Sequence, residues 1–282
     1  MNTKSLMVMR VLINHFHGGS HPAISSLPED EVKELEKLDI DATDISIATR
    51  QPWQVVAKVH YSWVFESLEK MPESLVPYVV ASLPESYKDK IAQQLGVSEP
   101  PEFSDSIKHL LLDRLYEYMP IRGHLPLAFI PKQPFSELLT LSKPQLLDLI
   151  DCLGVYDVAG ELKQIVDRQQ LVKLMDSLRK VQQGFLKTVI HQRHRWSPSK
   201  MGLDQWGGDV KRLRRALHVR GLIRLAKALK DHHPEFLAHL YRRLDMGRAK
   251  QIEKYQTQEE SEQVIHNLGA EVKKAMSYIQ NL

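Results

Sequence analysis

A single cysteine, Cys152, stands among the 282 residues, so no internal disulfide can form and a reducing compartment suits the chain. Long apolar runs are missing as well. The segment Leu6-Met7-Val8-Met9-Arg10-Val11-Leu12-Ile13 is interrupted by Arg10 and stops at Asn14-His15, short of the roughly 18 apolar residues that a membrane-spanning helix needs. It is short for the core of a secretion signal too, and no small-x-small cleavage site follows before Gly18-Gly19. These absences lead us to expect a soluble, cytoplasmic protein. Catalytic signatures are also lacking: no glycine-rich phosphate loop, no G-x-G-x-x-G, no G-x-S-x-G elbow, no H-E-x-x-H and no Cys-x-x-Cys. The expectation is a non-enzyme with no catalytic residue, cofactor or metal. Cys152, three residues from Leu149 in an apolar run, reads as a small buried hydrophobe and not as a nucleophile.

The 13 histidines do not change this. His15-x-His17-x-x-x-His21 has no cysteine or carboxylate beside it and reads as a polar loop. His191-x-x-His194 has a ligand-like helical spacing, but the surrounding Lys and Arg repel a cation.

What the chain does have is apolar content, 43%, enough for one large or two moderate cores, and helical periodicity almost throughout. Trp53, Val56, Ala57, Val59, His60, Val64 and Leu68 recur at three and four, while strand-like alternation and Val-Ile-Thr-rich runs are lacking. The spacing predicts an all-α protein with helices over 29–39, 53–70, 72–82, 84–95, 104–119, 142–153, 155–166, 168–193, 209–230, 234–244 and 258–281. Leu27-Pro28-Glu29-Asp30, Met71-Pro72-Glu73-Ser74, Leu83-Pro84-Glu85-Ser86 and His233-Pro234-Glu235-Phe236 each read as a helix start. Proline stands at the first helical position, with a carboxylate where the helix dipole favours it. Short helices joined by almost no loop pack as a compact array of armadillo type. Prolines at 120, 126, 131 and 134 exclude a continuous helix there. The expected organisation is therefore an N-terminal helical domain over 1–120, with armadillo-like helices across 53–95, a Pro-rich connector over 121–133 and a C-terminal helical domain over 134–282.

Charge is distributed unevenly. Residues 1–178 hold 17 basic and 25 acidic side chains, residues 179–230 hold 14 and 2, and residues 231–282 hold 7 and 8, giving nets of −8, +12 and −1. Within the basic segment 179–230, Val210, Leu213 and Leu217 share one helical face and Lys211, Arg212, Arg214 and Arg215 the other, with Arg220, Arg224, Lys227 and Lys230 continuing the charge. A face that is only solvated usually mixes both signs, and residues 210–230 carry no acid. Lys211, Arg212, Arg214, Arg215, Arg220 and Arg224 are accordingly expected to form a partner-binding face for an acidic surface, a phosphate or an anionic lipid surface. Nucleic acid is the second reading. Trp196 and Trp206 are near enough to stack on bases, but aromatics are not interleaved with the charge as single-strand readers require.

The stretch from Val59-His60-Tyr61-Ser62-Trp63 through Lys70-Met71-Pro72-Glu73-Ser74 to Leu83-Pro84-Glu85-Ser86-Tyr87 resembles the armadillo-like middle domain of the flagellar rotor protein FliG. There a His-led helix is followed by a Pro-Glu helix and a Leu-Pro-Glu helix. Phe135-Ser136-Glu137-Leu138-Leu139-Thr140-Leu141-Ser142-Lys143-Pro144-Gln145 is similar to the opening of a second FliG-like repeat. The chain departs from that family in two places. His60-Tyr61-Ser62 stands where the family has His-Pro-Gln, and residues 210–230 lack the acids of its torque helix. With these departures the chain resembles the SctK-type adaptor of type III secretion more closely than the rotor. The resemblance implies a non-enzymatic scaffold in a hetero-oligomeric complex, with inner-membrane ring and sorting-platform proteins as partners. Its place would be the cytoplasm or the inner face of the membrane.

Overall fold

The chain is seen in a computed structural model that describes residues 3–19, 22–40, 52–57, 59–97, 102–120, 124–126, 129–192 and 196–282. Among them it is all-α, as the periodicity predicts, with fourteen α-helices and no strand. In chain order these are α1 (Thr3–His17), α2 (Glu29–Lys37), α3 (Pro52–Val56), α4 (Tyr61–Leu68), α5 (Val76–Ser82), α6 (Glu85–Leu95) and α7 (Asp105–Tyr118). They continue as α8 (Lys143–Leu162), α9 (Arg168–Ser177), α10 (Lys180–Val189), α11 (Val210–Ala228), α12 (Pro234–Arg243), α13 (Met246–Gln256) and α14 (Glu262–Gln280). Among the described residues no helix is long and apolar enough to cross a membrane.

The chain forms two compact units, one of Met1–Ser136 with His233–Met246 and one of Glu137–His232 with Gly247–Leu282. The sequence reading placed all of 134–282 in one domain; the structure puts α12 in the first unit instead. The reason is a buried carboxylate. Glu235, 3% exposed in the first turn of α12, accepts the Leu125 N–H at 2.8 Å and meets Lys4 Nζ at 2.8 Å and His124 Nδ1 at 3.1 Å. Burial pushes the Glu235 carboxyl up, but Lys4, the Leu125 N–H and His124 outweigh it and hold the group below its ordinary range. Further along α12, His239 Nε2 lies 2.7 Å from the Leu125 carbonyl, and the adjoining Leu244 carbonyl accepts from Trp63 Nε1 at 3.0 Å.

In the first unit α3, α4, α5 and α7 surround a core that includes Val56, Val64, Leu68, Val79, Ile91 and Leu115. The Tyr87 hydroxyl donates to the Val56 carbonyl at 2.9 Å inside that core, which costs less than leaving either group dry and unpaired. The Pro-Glu starts resolve differently from one another. Pro28 and Pro84 occupy the capping position just before α2 and α6, and Pro234 stands at the start of α12 behind the His233 cap. Pro72 precedes a turn, and α5 starts only at Val76.

In the second unit α8 is the central rod, packed by α10, α11 and α14, and buries twelve of its twenty residues. It starts at a capping box in which the Ser142 N–H donates to Gln145 Oε1 at 2.9 Å. The expected break at Gly154 is absent. Gly154 is a contact glycine: a Cβ there would lie 2.1 Å from the Leu217 carbonyl oxygen, and one on Gly221 of α11 would lie 1.7 Å from that of Ile150. Two glycines thus let α8 and α11 cross backbone against backbone. The single helix expected over 168–193 is broken instead at Leu178, where Gln183 Nε2 donates to the Met175 and Leu178 carbonyls that end α9.

Candidate binding face

The first two turns of α11 carry the exposed part of the basic segment. Asp209 caps the helix by accepting the Arg212 N–H at 3.0 Å, Leu213 and Leu217 are buried, and Lys211, Arg212, Arg214 and Arg215 are exposed. None of these four cations makes an ion pair among the described residues. Lys211 and Arg212 also stand in the first turn, at the positive end of the helix dipole, where a like charge costs about 0.3–1 kcal/mol at low ionic strength. A surface selected for stability alone would place carboxylates there.

Beyond Gly221 the same helix is enclosed, and the expectation that Arg224 belongs to the exposed face is overturned. Arg224 is 0% exposed. Its guanidinium pairs with Asp157 of α8 and Glu271 of α14, donates to the Trp196 carbonyl at 2.9 Å and lies 5.2 Å from the Trp196 ring centroid. Burial raises the Glu271 carboxyl, with Arg224 opposing the shift. Lys227 is similarly committed, to Glu260. Arg220 lies at the edge of this network. Its Nη1 contacts Asp157 Oδ2 at 3.1 Å and the Ser199 carbonyl at 2.6 Å, and its Nη2 contacts Ser199 Oγ at 3.1 Å. Arg220 and Arg224 therefore staple the loop at 196–200 to the core, and the expected six-residue face reduces to four.

A second internal network flanks the face. Arg248 Nε, always a donor, lies 2.6 Å from His218 Nε2, so that ring nitrogen accepts and Nδ1 carries the proton toward Asp151 Oδ1, also at 2.6 Å. Asp151 takes Arg179 as well, and Arg179 reaches Asp148 at 2.7 Å. His218 follows Lys211, Arg214 and Arg215 at helical spacings of seven, four and three, so a cationic face continues into a fixed, internally paired one. Sequence reasoning missed this constellation. Its signal was present in Asp148 and Asp151, two carboxylates set in the apolar run 146–153 of α8, where a charge that is not exposed needs a partner.

Cys152 is buried and its thiol is pushed up to about 12, first by burial and then by Asp148 and Asp151. Of the histidines weighed for metal, His21 and His194 lie outside the described residues, and among the described residues no group of three or more potential ligands is gathered. The connector residues 121–123, 127 and 128 and the cations Arg193 and Arg195 likewise lie outside them. Comparison of the chain with protein-family models, with curated proteins and with solved structures gives no match.

Proposed function

We propose that the chain is a non-enzymatic scaffold of a type III secretion or flagellar-like apparatus, an adaptor that holds an acidic partner protein on the four cations of α11. One observation carries the docking part of this reading. Lys211, Arg212, Arg214 and Arg215 are exposed and free of internal carboxylates, the first two of them in the first turn against the helix dipole, while Arg220, Arg224 and Lys227 of the same helix are already paired. The assignment to a secretion machine is supported by the FliG-like sequence features across 59–91 and 135–150, and the SctK-type adaptor by the departures from that family at His60-Tyr61-Ser62 and in the acid-free segment 210–230. Ring and sorting-platform components are the partners it implies, with a place in the cytoplasm or at the inner face of the membrane. An armadillo-like packing of the short helices over 53–95 belongs to the same reading.

Pull-down with the full chain, followed by identification of bound protein and bound nucleic acid, tests it. Capture of ring or platform proteins is expected. The triple reversal Arg212→Glu, Arg214→Glu and Arg215→Glu should slow their association and flatten its salt dependence while helicity stays intact. Recovery of nucleic acid alone, with a salt slope of about 0.9 per duplex phosphate contact that the reversal lowers, would replace the adaptor reading.

A further inference from the structure

His218 of α11 is held at both ring nitrogens. Its Nδ1 lies 2.6 Å from Asp151 Oδ1 of α8, and the Nε–H of Arg248, in the first turn of α13, points at its Nε2 from 2.6 Å. Turning the ring over would set carbon atoms against both partners, so the orientation is fixed by its contacts. An arginine N–H only donates, and this contact exists only while Nε2 keeps its lone pair. A proton and Arg248 therefore compete for one atom. A histidine paired with a carboxylate alone would take up that proton and keep its partner; here uptake evicts a cation.

The surroundings set two states against each other. From α8, Asp151 favours the imidazolium, while Asp148, one turn earlier, is committed to Arg179 at 2.7 Å. Arg179, which also pairs with Asp151, opposes it, as do Arg248 of α13 and Arg214 and Arg215 one turn back on α11. Glu271 of α14 and Glu260 just before that helix are taken by Arg224 and Lys227. The His218 side chain is 20% exposed, so water reaches the ring, and Arg248 is itself partly exposed between exposed Gly247 and Lys250. We propose that proton uptake at His218 releases Arg248 from the ring, so that an imidazolium and a freed guanidinium extend the α11 face beside Arg214 and Arg215. The face then holds an acidic ligand more tightly as pH falls, and a bound carboxylate in turn draws the proton in. The exchange stands on the two ring contacts; its effect on binding rests on the adaptor reading of the basic face.

The exchange is read first without ligand, by proton–nitrogen NMR of the full chain from pH 8 to 5. The ring nitrogens of His218, assigned by their loss in His218→Gln, should show the Nδ1–H tautomer at pH 8. They and the Arg248 Nε–H, assigned by its loss in Arg248→Met, should change with one shared midpoint. In Arg248→Met, with the competitor gone, His218 should take up its proton at higher pH. Separate midpoints, an Nε2–H tautomer at pH 8, no change at His218 down to pH 5, or no displacement in Arg248→Met overturns the inference. Fluorescence anisotropy of a labelled decaglutamate peptide at fixed ionic strength then reads the consequence. Its affinity should rise by about threefold or more between pH 8 and 6, within the limit of about tenfold per pH unit for one proton exchanged. His218→Gln, whose amide still donates to Asp151, should keep the binding at pH 8 and lose the rise. A rise that survives in His218→Gln, or its absence from the unaltered chain, overturns the regulation. A peptide that binds at no pH, or that ignores reversal of Arg212, Arg214 and Arg215 to Glu, overturns the basic face and the regulation with it, while the ligand-free titration still decides the exchange.

Discussion

Arg214 and Arg224 sit on the same helix, the first in water and the second at 0% exposure between Asp157 and Glu271. Truncating Arg224 to Ala strands two carboxylates in the core and is expected to cost about 3–5 kcal/mol in urea unfolding, against at most about 0.5 kcal/mol for Arg214→Ala. Equal costs would show that the two cations do not differ in role. His239 makes a second residue-scale prediction. Burial, with Arg242 and His124 adding to it, lowers its pKa to about 4 from an ordinary 6.5, so the folded state holds it neutral while the unfolded state takes up a proton first. The stability this represents is complete above pH 6.5 and is lost as pH falls toward 4, at about 1.4 kcal/mol for each unit of depression. The unfolding midpoint should fall over that window, and His239→Gln, which keeps a side-chain N–H donor for the Leu125 carbonyl, should flatten the fall. The sequence made the exposed cations legible because an apolar seam at 213 and 217 fixes what faces out. It hid Arg224 because the carboxylates that neutralise it stand 67 and 47 residues away in the chain.

At the scale of elements, the crossing of α8 and α11 depends on two missing side chains. Gly221→Ala would drive a methyl to 1.7 Å from the Ile150 carbonyl oxygen and Gly154→Ala one to 2.1 Å from that of Leu217, and neither backbone can give way locally. Each change is expected to destabilise by about 1–3 kcal/mol or more, despite the better helix propensity of alanine. Gly160→Ala, in the same helix with nothing within 4 Å, is the control and should be neutral or slightly stabilising. Denaturant midpoints of the three variants check the order. This crossing explains one error of the sequence reading: a glycine in an apolar run signals a break and a close approach equally well. The merging of α9 and α10 has a different origin. Leu178 is an ordinary helix former, and the break there is held by Gln183 reaching back to two carbonyls, a contact that no propensity encodes. Helix α1 escaped assignment because apolar residues occupy most of its circumference and leave no clear polar stripe to set a period.

At the scale of the molecule, the all-α class followed from period alone, whereas the partition into units did not. The Pro-rich stretch drew attention to 120–134, but the assignment of α12 to the first unit is made by Glu235 with Lys4, His124 and the Leu125 N–H, a set gathered from three distant parts of the chain. Residues 1–136 expressed alone therefore lack the group that fills this site. They are expected to melt lower and less cooperatively than the full chain, and a peptide of residues 233–246 should restore part of the difference in a thermal scan.

That placement of α12 also bears on how the protein is made. A ribosome releases the chain from its beginning at roughly 5–20 residues per second, and units generally close in the order in which they emerge. Here the first unit is missing a helix until Met246 has emerged, by which time Glu137–His232 of the second is already out. For about 5–20 s Lys4 and His124 await a carboxylate that has not been synthesised. The unit that starts first cannot be completed until most of the other has been made.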